Sequence, residues 1–113
     1  MFGDVPLILT NLAPSEYQQT RTPSTEVWAQ IETDLELARQ ALPKRSAMSV
    51  SEIGRATWGA ATSLLAKVHA YQSEWAPCRD LTYEVVSSGE YFLEPDYSKI
   101  FTEAGENGSG SAD

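Results

Sequence analysis

Apolar residues recur every three or four positions over three stretches of the chain, which is the spacing of one face of an α-helix. The first stretch runs from Thr25 to Leu42, and polar side chains fill its opposite side. Pro23 and Ser24 are typical of the start of a helix, and Pro43 indicates its end because proline is poorly tolerated inside a helix. The pattern therefore predicts a helix with defined ends.

The second stretch, GRATWGAATSLLAKVHAYQ at residues 54 to 72, has a wider apolar stripe. Its apolar residues fall along two adjacent sides of a helix: Trp58, Ala61, Leu65 and Val68 on one, and Ala60, Leu64 and Tyr71 on the other. Many residues in the stretch are alanine or glycine, and small side chains let neighbouring helices approach closely. We expect this helix to be central, with a neighbour on each side.

A third helix of about three turns is predicted after a break at Ser73 to Ala76. Pro77 suits its first turn, and Gly89 suits the position just past its end. The following stretch, GEYFLEPDYSKIF, predicts an ordered loop with a short helical turn opened by Asp96. We expect the aromatic residues of this loop to fold back on the preceding helices.

These patterns divide the chain into three segments and predict an all-α fold. Residues 1–23 contain three prolines and one short apolar run, which predicts an extended entry segment on the surface of the helices. Residues 24–103 form the helical region, and residues 104–113 form a flexible tail. The mid-domain pattern directly after Met1 and the small, polar ending ENGSGSAD indicate an excerpt of a longer protein.

The second and third helices have the size of one tetratricopeptide unit, which is about 34 residues of helix, break, helix and glycine. The residues at its anchor positions are Leu65, Ala66, His69, Trp75, Cys78, Thr82 and Val85, of which Thr82 is a poor substitute for an aromatic. One unit cannot close its own core. We therefore predict a tetratricopeptide-like hairpin with a preceding helix and with neighbours outside this chain.

Composition narrows the possible partners. The 113 residues suit one domain. Sixteen acidic against eight basic side chains give a net charge of −8, which argues against nucleic acid and anionic membrane surfaces. Cys78 has no second thiol with which to form a disulfide or a metal site. No run approaches the roughly 20 apolar residues that cross a bilayer, and no signal peptide is evident.

Three groups of side chains are candidates for chemistry. His69 is a candidate for acid–base chemistry because histidine is the usual residue for that role, but its apolar helical neighbours predict a packed ring with one satisfied nitrogen. Cys78 would need a base to become a nucleophile, and we expect it to pack as a small hydrophobe. Glu32, Asp34 and Glu36 are predicted to form a solvated face. We therefore expect no catalytic residue, metal or cofactor.

Aromatic residues are the candidates for sugar binding, because the C–H faces of sugar rings stack on tryptophan and tyrosine. Trp28 and Tyr71 fall on apolar stripes, and we expect them to pack in the core. For Trp58, Trp75 and Tyr97, packing and sugar binding remain open.

Four stretches of the sequence resemble the SusD/RagB family of outer-membrane glycan-binding lipoproteins of Bacteroidetes. They are FGDVPLI (2–8), RTPSTEVWAQIETDLELARQALP (21–43), GRATWGAATSLLAKVHAY (54–71) and SSGEYFLEPDYSKIF (87–101), in the family's order. One departure is Trp58, where members commonly carry lysine.

The resemblance implies that this chain is a fragment of the helical, tetratricopeptide-like region of a longer, surface-exposed lipoprotein. That protein would hold oligosaccharide at the cell outer membrane and pass it to a TonB-dependent transporter of the SusC type. It implies polysaccharide utilisation and nutrient uptake without enzyme activity, and no ligand-binding residue can be carried over.

The alternative function is a small tetratricopeptide-like adaptor that binds a protein or peptide partner in a groove between its helices. Separated from its neighbours, the wide apolar stripe is also expected to cause self-association.

Overall fold

The computed structural model describes residues 3–102, which form three α-helices linked by loops and short 3-10 turns. Helix α1 spans Ser24–Ala41, α2 spans Trp58–Tyr71 and α3 spans Trp75–Ser87. The 3-10 turns are Pro14–Glu16, Arg45–Ala47, Val50–Glu52 and Tyr97–Phe101. The predicted all-α fold is confirmed. The predicted tail, residues 104–113, lies outside the described residues.

Helix α2 lies between α1 and α3 and supplies the buried core. Within residues 3–102, the buried positions all belong to this helix: Gly59, Ala61, Thr62, Leu65, Ala66 and Val68. Thr62 is completely buried, and its hydroxyl donates to the Trp58 carbonyl at 2.8 Å. The predicted central position of this helix is thus confirmed. No helix in the described part of the chain is both long and apolar enough to span a membrane.

The start of α2 is held by a side-chain cap and by an aromatic ring. The Thr57 hydroxyl accepts a hydrogen bond from the Ala60 amide at 3.2 Å, which satisfies one of the free N–H groups of the first turn. Tyr91 returns from the loop after α3, and its hydroxyl lies 2.9 Å from that of Thr57. A side chain at Gly59 would overlap the Tyr91 ring. Glycine therefore allows this ring to cover the start of the helix.

The other aromatic residues of this loop remain largely exposed: Phe92 at 64%, Tyr97 at 73% and Phe101 at 73%. The prediction that the loop aromatics fold back on the helices is therefore right for Tyr91 and wrong for these three. Tyr97 and Phe101 instead contact each other edge to face, with ring centroids 5.3 Å apart. The predicted turn after Asp96 is confirmed, since the Asp96 carboxylate accepts from the Ser98 amide.

The link between α2 and α3 is shorter than the predicted break at Ser73 to Ala76, because α3 already begins at Trp75. Pro77 lies in the first turn of α3, as predicted. Pro77 is the third residue of α3, where its missing N–H leaves no intrahelical bond unmade. Ser73 adopts a left-handed backbone, with a φ of 63°, and the Glu74 amide donates to the His69 carbonyl at 2.9 Å. Gly89, with a φ of 72°, follows the end of α3 as predicted.

The entry segment folds back on itself before α1 begins. The Thr22 amide donates to the Val5 carbonyl at 2.9 Å, and the Asp4 carboxylate accepts from the Ser24 amide at the same distance. Asp4 therefore caps α1, although 20 residues separate it from the helix start. The predicted segment boundaries at residues 23 and 103 remain predictions.

Two polar links join parts of the chain that are distant in sequence. Arg39 of α1 contacts Glu36 on its own helix and Glu84 on α3, with N–O distances of 3.0 and 2.6 Å. The Glu90 carboxylate accepts from both the amide and the hydroxyl of Ser46, at 3.0 and 2.8 Å. These hydrogen bonds, the amide's first, lower the pKa of Glu90.

The contact between Gly59 and Tyr91 predicts an energetic coupling between the two residues. With the ring removed by Tyr91→Ala, Gly59→Ala should raise the free energy of unfolding by up to about 1 kcal/mol, because alanine favours helix. In the native chain, the alanine side chain at position 59 must displace the Tyr91 ring. We therefore expect the change in the free energy of unfolding to be about 1–2 kcal/mol less favourable than in the Tyr91→Ala background. Urea unfolding followed by circular dichroism measures both. Tyr91→Phe keeps the ring and should preserve the coupling. If Gly59→Ala changes the free energy of unfolding equally in the native chain and in Tyr91→Ala, the two residues are not coupled.

The Glu90–Ser46 link predicts a specific pH dependence of stability. Because the pKa of Glu90 is lowered by folding, its stabilising effect is present above the ordinary glutamate pKa of about 4.3 and is lost as the pH falls through the lower folded-state pKa. Between pH 7 and pH 3, the native chain should therefore lose more unfolding free energy than Glu90→Gln. If the unfolding free energies of the two proteins fall by the same amount between pH 7 and pH 3, the Glu90–Ser46 link makes no such contribution.

Candidate functional site

An apolar groove of about 470 Å³ runs between α1 and α2. Its lining consists of Trp28, Ile31, Asp34, Leu35, Leu64, Lys67, Val68 and Tyr71. The groove forms because α2 presents a wide apolar stripe, of which one neighbouring helix covers only part. The predicted width of the stripe is therefore visible as a surface feature.

The two aromatic residues in this groove differ in burial. Trp28 of α1 is half-buried, as its place on the apolar stripe leads one to expect. Tyr71 is 58% exposed, so the prediction that it packs in the core is wrong. It is the last residue of α2, where no neighbouring side chain covers it fully, and the Lys67 amine lies 5.8 Å from its ring centroid.

The three aromatics whose role the sequence left open lie outside the groove lining. Trp58 is half-buried at the start of α2, with the Lys44 amine 5.4 Å from the centroid of its ring system. Trp75, at the start of α3, is 66% exposed. Tyr97 lies in the loop after α3. The structure thus does not gather the aromatic residues into one stacking platform.

A second, smaller groove of about 330 Å³ lies between α2 and α3. Cys78 is half-buried in its lining, beside alanine and valine side chains. No histidine or carboxylate shares this lining, so no general base stands ready to activate the thiol. The surroundings favour the packing role expected from the sequence.

A polar cluster lies at the C-terminal end of α2, where the turn that leads to α3 comes close to α1. The His69 Nδ1 atom is 2.6 Å from a Glu74 carboxylate oxygen, and the Gln72 amide donates to Glu32 of α1 at 2.5 Å. His69 is therefore a largely buried ring with one nitrogen satisfied, since only 15% of its side chain is exposed. We call Glu32, His69, Gln72 and Glu74 the helix-end cluster.

The acidic residues of α1 have three different environments. Asp34 is exposed, as expected for a solvated face, although it also lines the α1–α2 groove. Glu32 is half-buried and hydrogen-bonded to Gln72, so for this residue the predicted solvated face is wrong. The Glu36 side chain is 44% exposed, as expected for the solvated face, although it is also hydrogen-bonded. Hydrogen bonds from Gln40 and Arg39, in that order, lower the pKa of Glu36. Gln72, just after the end of α2, contacts Glu32. The periodicity of α1 alone could not predict this contact, because it depends on how α2 packs against α1.

Sequence reasoning missed the helix-end cluster because its members lie far apart in the chain. Forty residues separate Glu32 from Gln72. The available signal was the five-residue spacing of His69 and Glu74 across a predicted helix end, which a tight turn brings within hydrogen-bond distance.

The open α1–α2 groove predicts self-association of this chain at high concentration. Leu64→Glu should favour the monomer, because it places a charge in the groove lining. Leu37→Glu is a matched control: Leu37 is 60% exposed against 51% for Leu64, and it lies outside the groove. Light scattering measures the oligomeric state, and a strictly monomeric native chain would contradict the prediction.

The chain matches no protein-family model and no curated protein. Among solved structures it is similar to a SusD-like carbohydrate binding protein from Bacteroides fragilis, with a TM-score of 0.82 and 25% sequence identity. The match covers 88% of this chain and 20% of that protein, so this chain spans about a fifth of its length. The similarity confirms the resemblance inferred from the four sequence stretches: this chain is SusD-like.

Proposed function

We propose that this chain is a scaffold and interaction surface within an oligosaccharide-binding lipoprotein of the bacterial outer membrane. The observation that carries the proposal is the TM-score of 0.82 to a SusD-like carbohydrate binding protein. The four family-like sequence stretches support it, because they cover most of the chain in the family's order.

The groove between α1 and α2 supports a scaffold role over direct sugar binding. Sugars are held by stacking against aromatic rings together with hydrogen bonds to their hydroxyl groups. Among the groove side chains, only those of Asp34 and Lys67 bear a charge, and the Tyr71 hydroxyl and the Trp28 indole N–H are the other polar groups. We therefore propose that the saccharide contacts lie elsewhere in the longer protein.

Exposed apolar side chains support a role in protein contacts. Leu93 is 94% exposed, and Phe92 and Tyr97 in the same segment after α3 are also largely exposed. Large exposed apolar patches mark interaction sites on proteins, and a segment with several such side chains is a candidate for one. The partner that we propose for the longer protein is a TonB-dependent transporter of the SusC type. Nucleic acid is excluded from the proposal by the net charge of −8.

The proposal includes no enzyme activity. In the described part of the chain, His69 contacts a carboxylate and no nucleophile, and Cys78 lies in a separate groove on α3. A triad-like arrangement would need the base and the nucleophile within hydrogen-bond distance.

Calorimetry with a panel of oligosaccharides and peptides tests the scaffold assignment. We expect no micromolar saccharide binding by this chain alone, and clear binding by the longer protein that contains it. Tyr71→Ala in the longer protein should leave the saccharide affinity unchanged within about twofold, since the lost contact belongs to the scaffold.

Micromolar saccharide binding by this chain alone would refute the scaffold assignment, and peptide binding would favour the adaptor. Sequencing of the parent locus should find a lipoprotein signal upstream and a transporter gene nearby. Copurification of the longer protein with that transporter would test the proposed partner directly.

A further inference from the structure

The helix-end cluster combines the side chains of a transition-metal site. One nitrogen or oxygen atom from each of Glu32, His69 and Glu74 lies within 4.8 Å of the other two. Glu32 belongs to α1, His69 to the last turn of α2, and Glu74 to the position just before α3. We propose that these three side chains bind a divalent zinc-type ion. The proposal is independent of the function proposed above.

The ligand chemistry favours zinc over calcium or magnesium. Imidazole nitrogen and carboxylate oxygen are both zinc ligands, and open zinc sites combine three protein ligands with a water in the fourth position. Calcium and magnesium instead prefer oxygen ligands alone, whereas one of the three ligand atoms of this cluster is an imidazole nitrogen. Imidazole nitrogen also selects for zinc, copper, nickel and iron over the alkaline-earth ions.

The geometry needs only a small adjustment. His69 Nδ1 and the nearest Glu74 oxygen are 2.6 Å apart, at hydrogen-bond distance. Two tetrahedral ligands at zinc bond lengths of about 2.0–2.1 Å stand slightly more than 3 Å from each other. The Glu74 side chain is 48% exposed, so it can move outward by this amount. The ion then takes the place of this hydrogen bond between the two side chains.

The surrounding groups hold the ligands in place. The Gln72 amide donates to one oxygen of Glu32, which orients that carboxylate as outer-shell partners of metal ligands do. The Glu74 amide donates to the His69 carbonyl, which fixes the turn that places the two side chains side by side. His69 is also largely buried, so its ring has little freedom to leave the cluster.

An ion at this position would bring positive charge to a strongly acidic molecule. Two carboxylates and one imidazole each place a ligand atom within 4.8 Å of the other two, in a chain of net charge −8. A divalent cation would offset the carboxylate charge and link α1, the end of α2 and the turn before α3 at one point. Binding therefore would raise the stability of the folded chain, because the ligands are assembled only in that state.

The test uses the full chain without a histidine tag, freed of metal by a chelator, and titrated with zinc chloride. We expect one-to-one binding by calorimetry and an upward shift of the unfolding midpoint. His69 is the only histidine, so its imidazole NMR signals should shift with one equivalent of zinc and stay unchanged with magnesium.

Matched variants locate the ion. Glu32→Gln and Glu74→Gln preserve size and hydrogen bonding, and each should weaken zinc affinity at least tenfold. Asp34→Asn removes the same charge from α1 at an exposed residue outside the cluster and should leave the affinity unchanged. Cys78→Ser removes the competing thiol and should also leave it unchanged. Circular dichroism checks that each variant is folded.

Three results would overturn the site. The first is the absence of both binding heat and His69 signal changes at equimolar zinc. The second is equal weakening by Asp34→Asn and Glu32→Gln, which would indicate unspecific attraction to the acidic surface. The third is loss of binding in Cys78→Ser with retention in Glu32→Gln, which would place the ion on the thiol.

Discussion

The fold depends on the close approach of two helices to opposite sides of α2. Every buried residue in the described range belongs to this helix, and most of those residues are glycine, alanine or threonine. Short side chains reduce the distance between helix axes, so α1 and α3 can both pack closely against α2. The dispersion contacts made in this way are individually weak, and they stabilise the fold through their number.

The surface features follow from this arrangement. Neighbours on two sides of α2 leave an uncovered strip on a third, and the two grooves lie along its margins, with Lys67 in the lining of both. At the C-terminal end of α2, a three-residue turn returns the chain directly into α3. Side chains of the turn and of the last turn of α2 then lie close to α1, and the helix-end cluster forms at this point.

The sequence predicted features that depend on local patterns. The ends of α1, the central place of α2, the glycine after α3 and the turn at Asp96 all follow from periodicity or capping chemistry within a few residues. It did not predict the Asp4 cap, the contact of Glu32 with Gln72 or the exposure of Tyr71. These depend on which distant segment lies nearby, and that information is absent from the pattern of any single helix.

The order of packing follows the order of the chain, since α1 contacts α2 and α2 contacts α3. Each newly made helix therefore finds its partner in the segment just before it, and loop closure costs little entropy. Contacts between segments that are neighbours in sequence can form early, because they do not require distant parts of the chain to be present. Such packing is compatible with folding from the N-terminus during synthesis. The Arg39–Glu84 pair, which joins α1 to α3, forms only when α3 has packed against α2.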